Sequence, residues 1–495
     1  MSAADPHLSD RMAPVLDWLA SPLIDDPDLE LASLVRNLDE LGSSESNRGQ
    51  LKRCLEPLYA RSMAISRLFR GRLAMAALPL TIGMHRSATR LLAALGKVAA
   101  AHEEVLSETH NRLARSLRRN PSIVSARAIE LLAEQFTIAH LAGSSAPFEF
   151  WLRAHAVFNA ADPLAGDKGD EAVESILAAY KYLLALSAAH PAGLTGREIT
   201  WLADYLAANV RATSIRHSPP GEDELGWFWV DPDQDTPPIS IHRRPPPPVE
   251  GLLYFSGEEL ARRATCLIDQ LEGDTPPSPD THPGMERHEV ATLLRRVREY
   301  WACPPHREHS RRRNQYAVQV CCGLDNIWKM LREPGSARQS AHSSEWMVVN
   351  ESPTGYAIMQ VTAAAATLTA GIAIALRRDD EEPWTLCVVR WIRSETPEQV
   401  ELGLQVIANS AKPVTVGFRN ANRPRAMSPA LVLPPIQAAG RQQAILAPAG
   451  TYCARRFMLV SDTNRLYVAQ GRLLSLDMQT AAVELFQYEI DPYPL

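Results

Sequence analysis

Apolar side chains in the first part of the chain recur every three or four residues, the spacing of one helical face. A long helix is predicted after Asn47, and Pro79 is expected to end or kink it. Further helices with this spacing are predicted over residues 29–41, 87–117, 125–142, 148–159 and 171–188. Thr195 and Glu198 have the spacing of a capping box, which predicts that another helix begins there. Residues 1–215 are therefore predicted to form an all-α helical array.

The helical array contains no catalytic motif, and such arrays usually offer a surface for a protein partner. The stretch Trp151–Ala156, followed by a second helix, is similar to a tetratricopeptide repeat, although no period of that length recurs. A plain helical bundle is an equally good interpretation. In either case an unknown protein partner is expected to bind through this region.

Residues 216–301 are rich in proline and are interpreted as a linker region. The apolar run Leu225–Val230 predicts a strand within a hairpin. Ser256 and Glu259 have the spacing of a capping box and predict one helix, and a second is predicted from Glu286 to Trp301. This region is expected to connect the helical array to the domains that follow.

Beyond residue 301 the pattern changes to short runs rich in β-branched and aromatic residues, separated by turn formers. Residues 302–410 are predicted to form a small antiparallel β-barrel, centred on the stretch Trp346–Ala408. Residues 411–495 show similar runs, which predict a second small β-rich barrel or an extension of the first. The chain is thus expected to be a multidomain α+β protein.

One uncharged stretch, Tyr356–Leu376, is long enough to cross a membrane as a helix. The polar Gln360 and the central Gly371 interrupt it, and the runs on both sides have strand character. Two strands joined by a turn near residues 365–370 are therefore predicted, with no membrane span.

The chain has 495 residues with 46% hydrophobic content and a net charge of −6, which is ordinary for a globular protein. This mild acidity gives no reason to expect nucleic acid as a partner. The seven cysteines form no disulfide-like framework, and no signal peptide is evident at the N-terminus. A cytoplasmic location is expected from these two features.

The familiar catalytic motifs do not occur, so the chain is not expected to be an enzyme or to hold a cofactor. Cys303, His306 and His309 have a spacing close to that of a zinc site. The arginines around them would repel a cation, and a metal site is therefore not predicted.

A strongly basic segment precedes the predicted barrel and contains Arg307, Arg311, Arg312 and Arg313. Guanidinium groups in a loop can stack on flat bases and bind phosphate through two parallel hydrogen bonds. Arg307 and Arg311 form an Arg-x-x-x-Arg pair, and Arg312 and Arg313 compete with Arg311 for its second position. The non-binding alternative is a solvated basic loop or a contact with the acidic helical half.

A short polar motif opens the central stretch of the predicted barrel and consists of Asn350, Ser352 and Gly355. Asparagine offers both a donor and an acceptor to a base edge, and a serine two positions later lies on the same face of a strand. A glycine three residues further on permits a close backbone approach or a positive φ. Together with the arginines, this patch suits a compact anionic nucleotide.

This order of motifs resembles the PilZ domain, the bacterial receptor domain for cyclic di-GMP. The family pattern is Arg-x-x-x-Arg, followed by Asp/Asn-x-Ser-x-x-Gly at the start of a six-stranded barrel. The runs Cys387–Ile392 and Glu401–Gln405 look like the closing hairpin of that family. The resemblance covers roughly residues 303–410 and implies a PilZ-like barrel in this part of the chain.

The resemblance also implies a ligand, cyclic di-GMP, and roles for particular residues. Arg307 and Arg311 would hold a guanine and a phosphate, while Asn350 and Ser352 would meet the other guanine. Two alternatives stay open. The first is a degenerate barrel that acts without a ligand, since the family contains barrels without competent arginines that serve as protein adaptors. The second is an RNA-binding protein, because a basic loop beside aromatic strands also suits RNA.

Overall fold

The structure is a computed structural model of the 495-residue chain. It describes residues 6–42, 51–110, 121–165, 170–221, 224–273, 284–305, 309–332, 343–361, 368–418, 427–436, 440–452, 456–462 and 466–491. Within these residues, every helix is too short or too polar to cross a membrane.

Helices make up the N-terminal part of the chain, as the apolar spacing predicted. They are α1 (Pro6–Ala20), α2 (Pro27–Gly42), α3 (Leu55–Ala74), α4 (Ile82–His110), α5 (Pro121–Leu141), α6 (Phe150–Ala161), α7 (Glu171–Ala188) and α8 (Gly196–Asn209). The helical spacing did not predict α1, which has Pro14 inside it. The predicted helix start at Asn47 and the predicted helix end at residue 117 lie outside the described residues.

One of the two predicted capping boxes is present. At the start of α8, the Glu198 N–H donates to Thr195 Oγ1 (3.3 Å), and the Thr195 N–H donates to Glu198 Oε2 (2.8 Å). The box predicted from Ser256 and Glu259 is wrong, because Gly257 is the N-cap of that helix and has no side chain to bond with. The Glu259 carboxylate instead accepts hydrogen bonds from arginines one turn further along the helix.

Residues 215–302 add a sheet and two further helices to this array. The strands are β1 (Ile215–Arg216), β2 (Trp227–Val230), β3 (Ile239–Ser240) and β4 (Leu253–Ser256), in the order β1-β4-β2-β3, and the helices are α9 (Glu258–Glu272) and α10 (Arg287–Ala302). Phe228, Phe255 and Trp301 are buried in the same apolar core as α1–α8. We call α1–α10 with this sheet the helical unit. The proposed division of the chain into four domains stays a prediction.

A closed six-stranded antiparallel barrel follows, which confirms the predicted PilZ-like architecture. Its strands are β5 (Arg312–Cys322), β6 (Ser343–Ser352), β7 (Gly355–Gln360), β8 (Ala373–Arg377), β9 (Thr385–Thr396) and β10 (Gln399–Ala408), in the order β10-β7-β6-β5-β8-β9. Val320, Ile358 and Leu402 belong to the core inside this first barrel. A helix, α11 (Leu324–Arg332), lies between β5 and β6 in the chain. Strands β7 and β8 confirm the two strands predicted within Tyr356–Leu376.

The C-terminal part closes into a second six-stranded barrel. Its strands are β11 (Lys412–Phe418), β12 (Met427–Leu433), β13 (Ala444–Pro448), β14 (Arg456–Ser461), β15 (Tyr467–Gln479) and β16 (Val483–Ile490), in the order β11-β12-β13-β16-β15-β14. In both barrels the first strand pairs with the second and fourth, the third pairs with the sixth, and the fifth lies between the fourth and sixth. The two barrels therefore have identical connectivity.

The two barrels are joined through an apolar core that lies outside both of them. It contains outward-facing side chains of β8 and β9, such as Ala375 and Val388, and apolar side chains of β12, β13 and β16, such as Leu446. Ile327 of α11 is fully buried in the same core. The Trp328 indole Nε1–H also donates to a carbonyl oxygen of the second barrel. Helix α11 therefore holds the barrels together.

Replacing Trp328 with phenylalanine is expected to destabilise the contact between the barrels. In the wild type, the Val414 carbonyl oxygen accepts a hydrogen bond from Trp328 Nε1–H at 2.7 Å. The variant leaves this oxygen without that partner. Loss of one such hydrogen bond lowers the free energy of unfolding by about 1 kcal/mol, measured by chemical denaturation. Lys329→Ala changes an exposed side chain of the same helix and is the control, with a smaller expected effect. Equal effects of the two variants would contradict this role of Trp328.

Candidate functional site

The predicted Asn-x-Ser-x-x-Gly motif lies at the tight hairpin between β6 and β7. Ser352 ends β6 and Gly355 begins β7, and the two are paired across a two-residue turn. The Ser352 hydroxyl donates to the Gly355 carbonyl oxygen at 3.3 Å. A Cβ on Gly355 would overlap the carbonyl oxygen of Leu404 in β10, so only glycine permits this close approach of the strands.

A row of five residues crosses the outer face of the first barrel beside this hairpin. The strand register pairs Arg313 with Asn350, Asn350 with Ala357, Ala357 with Gly403, and Gly403 with Trp391. Residues opposite one another in antiparallel strands project to the same side of a sheet. The row therefore begins with a guanidinium and an amide, continues through two small residues, and ends at an indole.

The amide of Asn350 has an unused acceptor. Its Oδ1 atom is buried and accepts no hydrogen bond from any described residue. The neighbouring Glu351, by contrast, accepts from Asn314 Nδ2 at 2.6 Å and from the Tyr316 hydroxyl at 2.5 Å. Burial, followed by the hydrogen bond to Glu351, raises the pKa of Tyr316, so its hydroxyl stays a donor. A buried polar atom without a partner is costly, and a bound ligand with a hydrogen-bond donor would satisfy it.

The structure shows where the described arginines of the basic segment lie relative to the Asn350 amide. Arg313 lies directly opposite Asn350 and Arg312 opposite Glu351, with an irregularity in β5 just beyond them. Arg311 is exposed immediately before β5, while Arg307 lies outside the described residues. Of the three predicted arginines that the structure describes, Arg313 is therefore the one opposite Asn350. Their roles toward a ligand stay predictions.

Trp391 is a residue of this site that the sequence analysis did not single out. Its indole lies over Gly403, where a Cβ would overlap the ring. The guanidinium of Arg393 lies 5.3 Å from the ring centroid, within the range of a cation–π contact. The sequence contained one signal for Trp391. The two predicted hairpin strands place a tryptophan in one strand and a glycine in the other, and glycine is otherwise unfavourable within a strand.

The second barrel buries the face that corresponds to this site. By connectivity, β12, β13 and β16 match β6, β7 and β10 of the first barrel. Their apolar side chains outside the barrel interior are Leu431, Leu433, Ala444, Leu446, Val483 and Leu485, all packed against the first barrel and α11. Within the described residues, an open face with the Asn-x-Ser-x-x-Gly motif belongs to the first barrel alone.

Comparison with known proteins places these features in a family. The model of the N-terminal domain of the cyclic-di-GMP receptor FimW matches residues 13–220, and the model of the middle PilZ domain of that receptor matches residues 328–413. The first barrel is therefore a PilZ domain, and both the helical part and the first barrel match FimW domains. The PilZ match includes Asn350 and Trp391 but begins after the arginine segment.

The cyclic-di-GMP receptor FimW of Pseudomonas aeruginosa is 31% identical to this chain over 102 residues. This match covers 20% of the chain and 17% of the length of that receptor. No solved structure matches the chain.

Proposed function

We propose that the first barrel binds cyclic di-GMP on its outer face and that the helical unit passes this signal to a protein partner. The proposal rests chiefly on the buried, unpartnered Oδ1 of Asn350 in the middle of the row from Arg313 to Trp391. The likeness to the FimW PilZ domain supports the choice of ligand. The likeness to the FimW N-terminal domain supports a receptor organisation.

Each group in the row suits one part of the ligand. A guanine presents N–H donors on its Watson–Crick edge, and the Asn350 Oδ1 atom can accept a hydrogen bond from them. The indole of Trp391 offers a flat face for base stacking, a contact that contributes about 1–3 kcal/mol per base. Arg313, together with Arg307, Arg311 and Arg312, supplies guanidinium groups for the two phosphates. Gly403 leaves room for the indole of Trp391 to lie against the sheet.

Isothermal calorimetry with cyclic di-GMP tests the proposal. The wild type is expected to bind saturably, and Arg311→Ala is expected to bind about tenfold more weakly, because a charge-assisted contact to the ligand is lost. Arg262→Ala, which changes an exposed arginine on α9 that pairs with Glu259, is the matched control and should bind like the wild type. The absence of binding heat in the wild type would reject the receptor function and favour the ligand-independent adaptor.

A further inference from the structure

Arg390 occupies an irregular position in β9, immediately before Trp391. Gly403 pairs with Trp391 and Leu404 pairs with Val389, so Arg390 is the additional residue of a β-bulge. Val389 and Ile392, three positions apart, both lie in the core inside the barrel. Without the bulge, strand alternation would place residues three apart on opposite faces. The bulge at Arg390 therefore sets the direction in which Trp391 projects.

The helical unit holds this bulge. Arg390 Nη2 donates to the hydroxyl of Tyr300 on α10 at 3.1 Å. The backbone of Gly193 approaches the Arg390 carbonyl oxygen so closely that a Cβ there would lie 2.6 Å from it. Tyr300 is itself fixed, since the adjacent Trp301 is fully buried and its Nε1–H donates to the Ala185 carbonyl oxygen at 3.0 Å. Arg390 is thus tied to the helical core through a side-chain bond and a backbone contact.

The same tyrosine contacts a second pair of residues that reaches the base of the arginine segment. The rings of Tyr300 and His190 lie 4.8 Å apart. Arg243 Nη1 donates to His190 Nε2 at 2.8 Å, and Arg243 Nε donates to the Pro305 carbonyl oxygen at 3.3 Å. Pro305 directly precedes the segment that contains the predicted ligand-binding arginines. We call Arg243, His190, Tyr300 and Arg390 the Tyr300 cluster.

We propose that the Tyr300 cluster positions both walls of the nucleotide site and couples them to the helical unit. One end holds the bulge that directs Trp391, and the other end holds Pro305. This inference rests on the proposed function for the ligand, although its structural part does not depend on it. Because coupling between two sites is reciprocal, a partner that moves α10 changes nucleotide affinity, and bound nucleotide changes partner affinity by the same factor.

Tyr300→Phe tests the cluster, because it removes one hydroxyl and leaves the ring against His190. Peptides spanning residues 385–396 of the unliganded full-length chain are expected to exchange amide hydrogens faster in this variant, measured by mass spectrometry. Cyclic di-GMP affinity is expected to fall about fivefold, since the bulge no longer holds Trp391 in place. Glu395→Ala is the matched control. It removes another contact of β9 with the helical unit, the bond from the Ser145 N–H at 3.0 Å, but lies away from the bulge.

Three outcomes separate this inference from the proposed function. Faster exchange around Arg390 in Tyr300→Phe, with weaker nucleotide binding and neither effect in Glu395→Ala, supports it. Unchanged exchange in Tyr300→Phe overturns the positioning role, whether or not the wild type binds the nucleotide. If Tyr300→Phe exchanges faster but the wild type binds no cyclic di-GMP, the positioning role is retained, and the coupling and the receptor function are rejected.

Discussion

Replacing both Asn350 and Ser352 with alanine is expected to abolish cyclic di-GMP binding, with affinity falling about 100-fold or more. The variant removes the unpartnered acceptor of the site and the hydroxyl two positions along the same strand face. The second barrel cannot substitute, since its corresponding face is apolar and packed against the first barrel. Equilibrium dialysis of labelled nucleotide against the full-length chain measures the residual binding.

The control for this variant is the double substitution Gln470→Ala and Ser475→Ala, which alters two polar residues of β15 in the second barrel. It should bind the nucleotide as the wild type does. Residual saturable binding near wild-type affinity in the Asn350→Ala, Ser352→Ala variant would show a second site and contradict the assignment to one face.

Stability is expected to fall as the pH drops from about 6.5 to 4, because buried histidine must remain neutral in the folded state. His155 is fully buried. Its Nε2 lies 3.3 Å from the Thr236 carbonyl oxygen, which can only accept, so Nε2 carries the proton and Nδ1 accepts from the Tyr180 hydroxyl at 2.7 Å. Burial lowers the pKa of His155 to about 4, although the nearby Asp235 and Asp231 act in the opposite direction.

The sign of this effect follows from the two pKa values of His155. The unfolded chain takes up a proton below pH 6.5, whereas the folded chain does so only near the lowered pKa of about 4. The stabilising contribution of His155 is therefore complete well above pH 6.5, and it falls by roughly 1 kcal/mol at pH 5.5 and by roughly 3 kcal/mol at pH 4. Chemical denaturation at each pH measures this slope.

A second histidine contributes to the same pH range, and a substitution separates the two. Loss of hydration lowers the pKa of His140 to about 4 as well. His155→Gln should therefore retain about half of the decrease in stability between pH 7.5 and 5.5, whatever its stability at neutral pH. An unchanged pH slope in His155→Gln would show that His155 is not the titrating group.

The sequence alone determined those parts of the protein that depend on local physical chemistry. Apolar periodicity predicted the helices and the change to strands, and the spacing of Thr195 and Glu198 predicted a cap that forms as expected. The order of Asn350, Ser352 and Gly355 resembled the PilZ pattern and indicated the PilZ-like barrel. In these cases, the residues that decide the structure lie within a few positions of one another.

The tertiary structure decided what depends on strand register and on contacts between distant segments. The alignment of Arg313 with Asn350 follows from pairing across β5 and β6, next to an irregularity that no local pattern predicts. The outward direction of Trp391 depends on a bulge held by Tyr300, ninety residues earlier in the chain. The burial of the second barrel's corresponding face depends on packing between whole barrels. A one-residue change of register reverses the face on which a side chain lies, so these features could not be predicted from spacing alone.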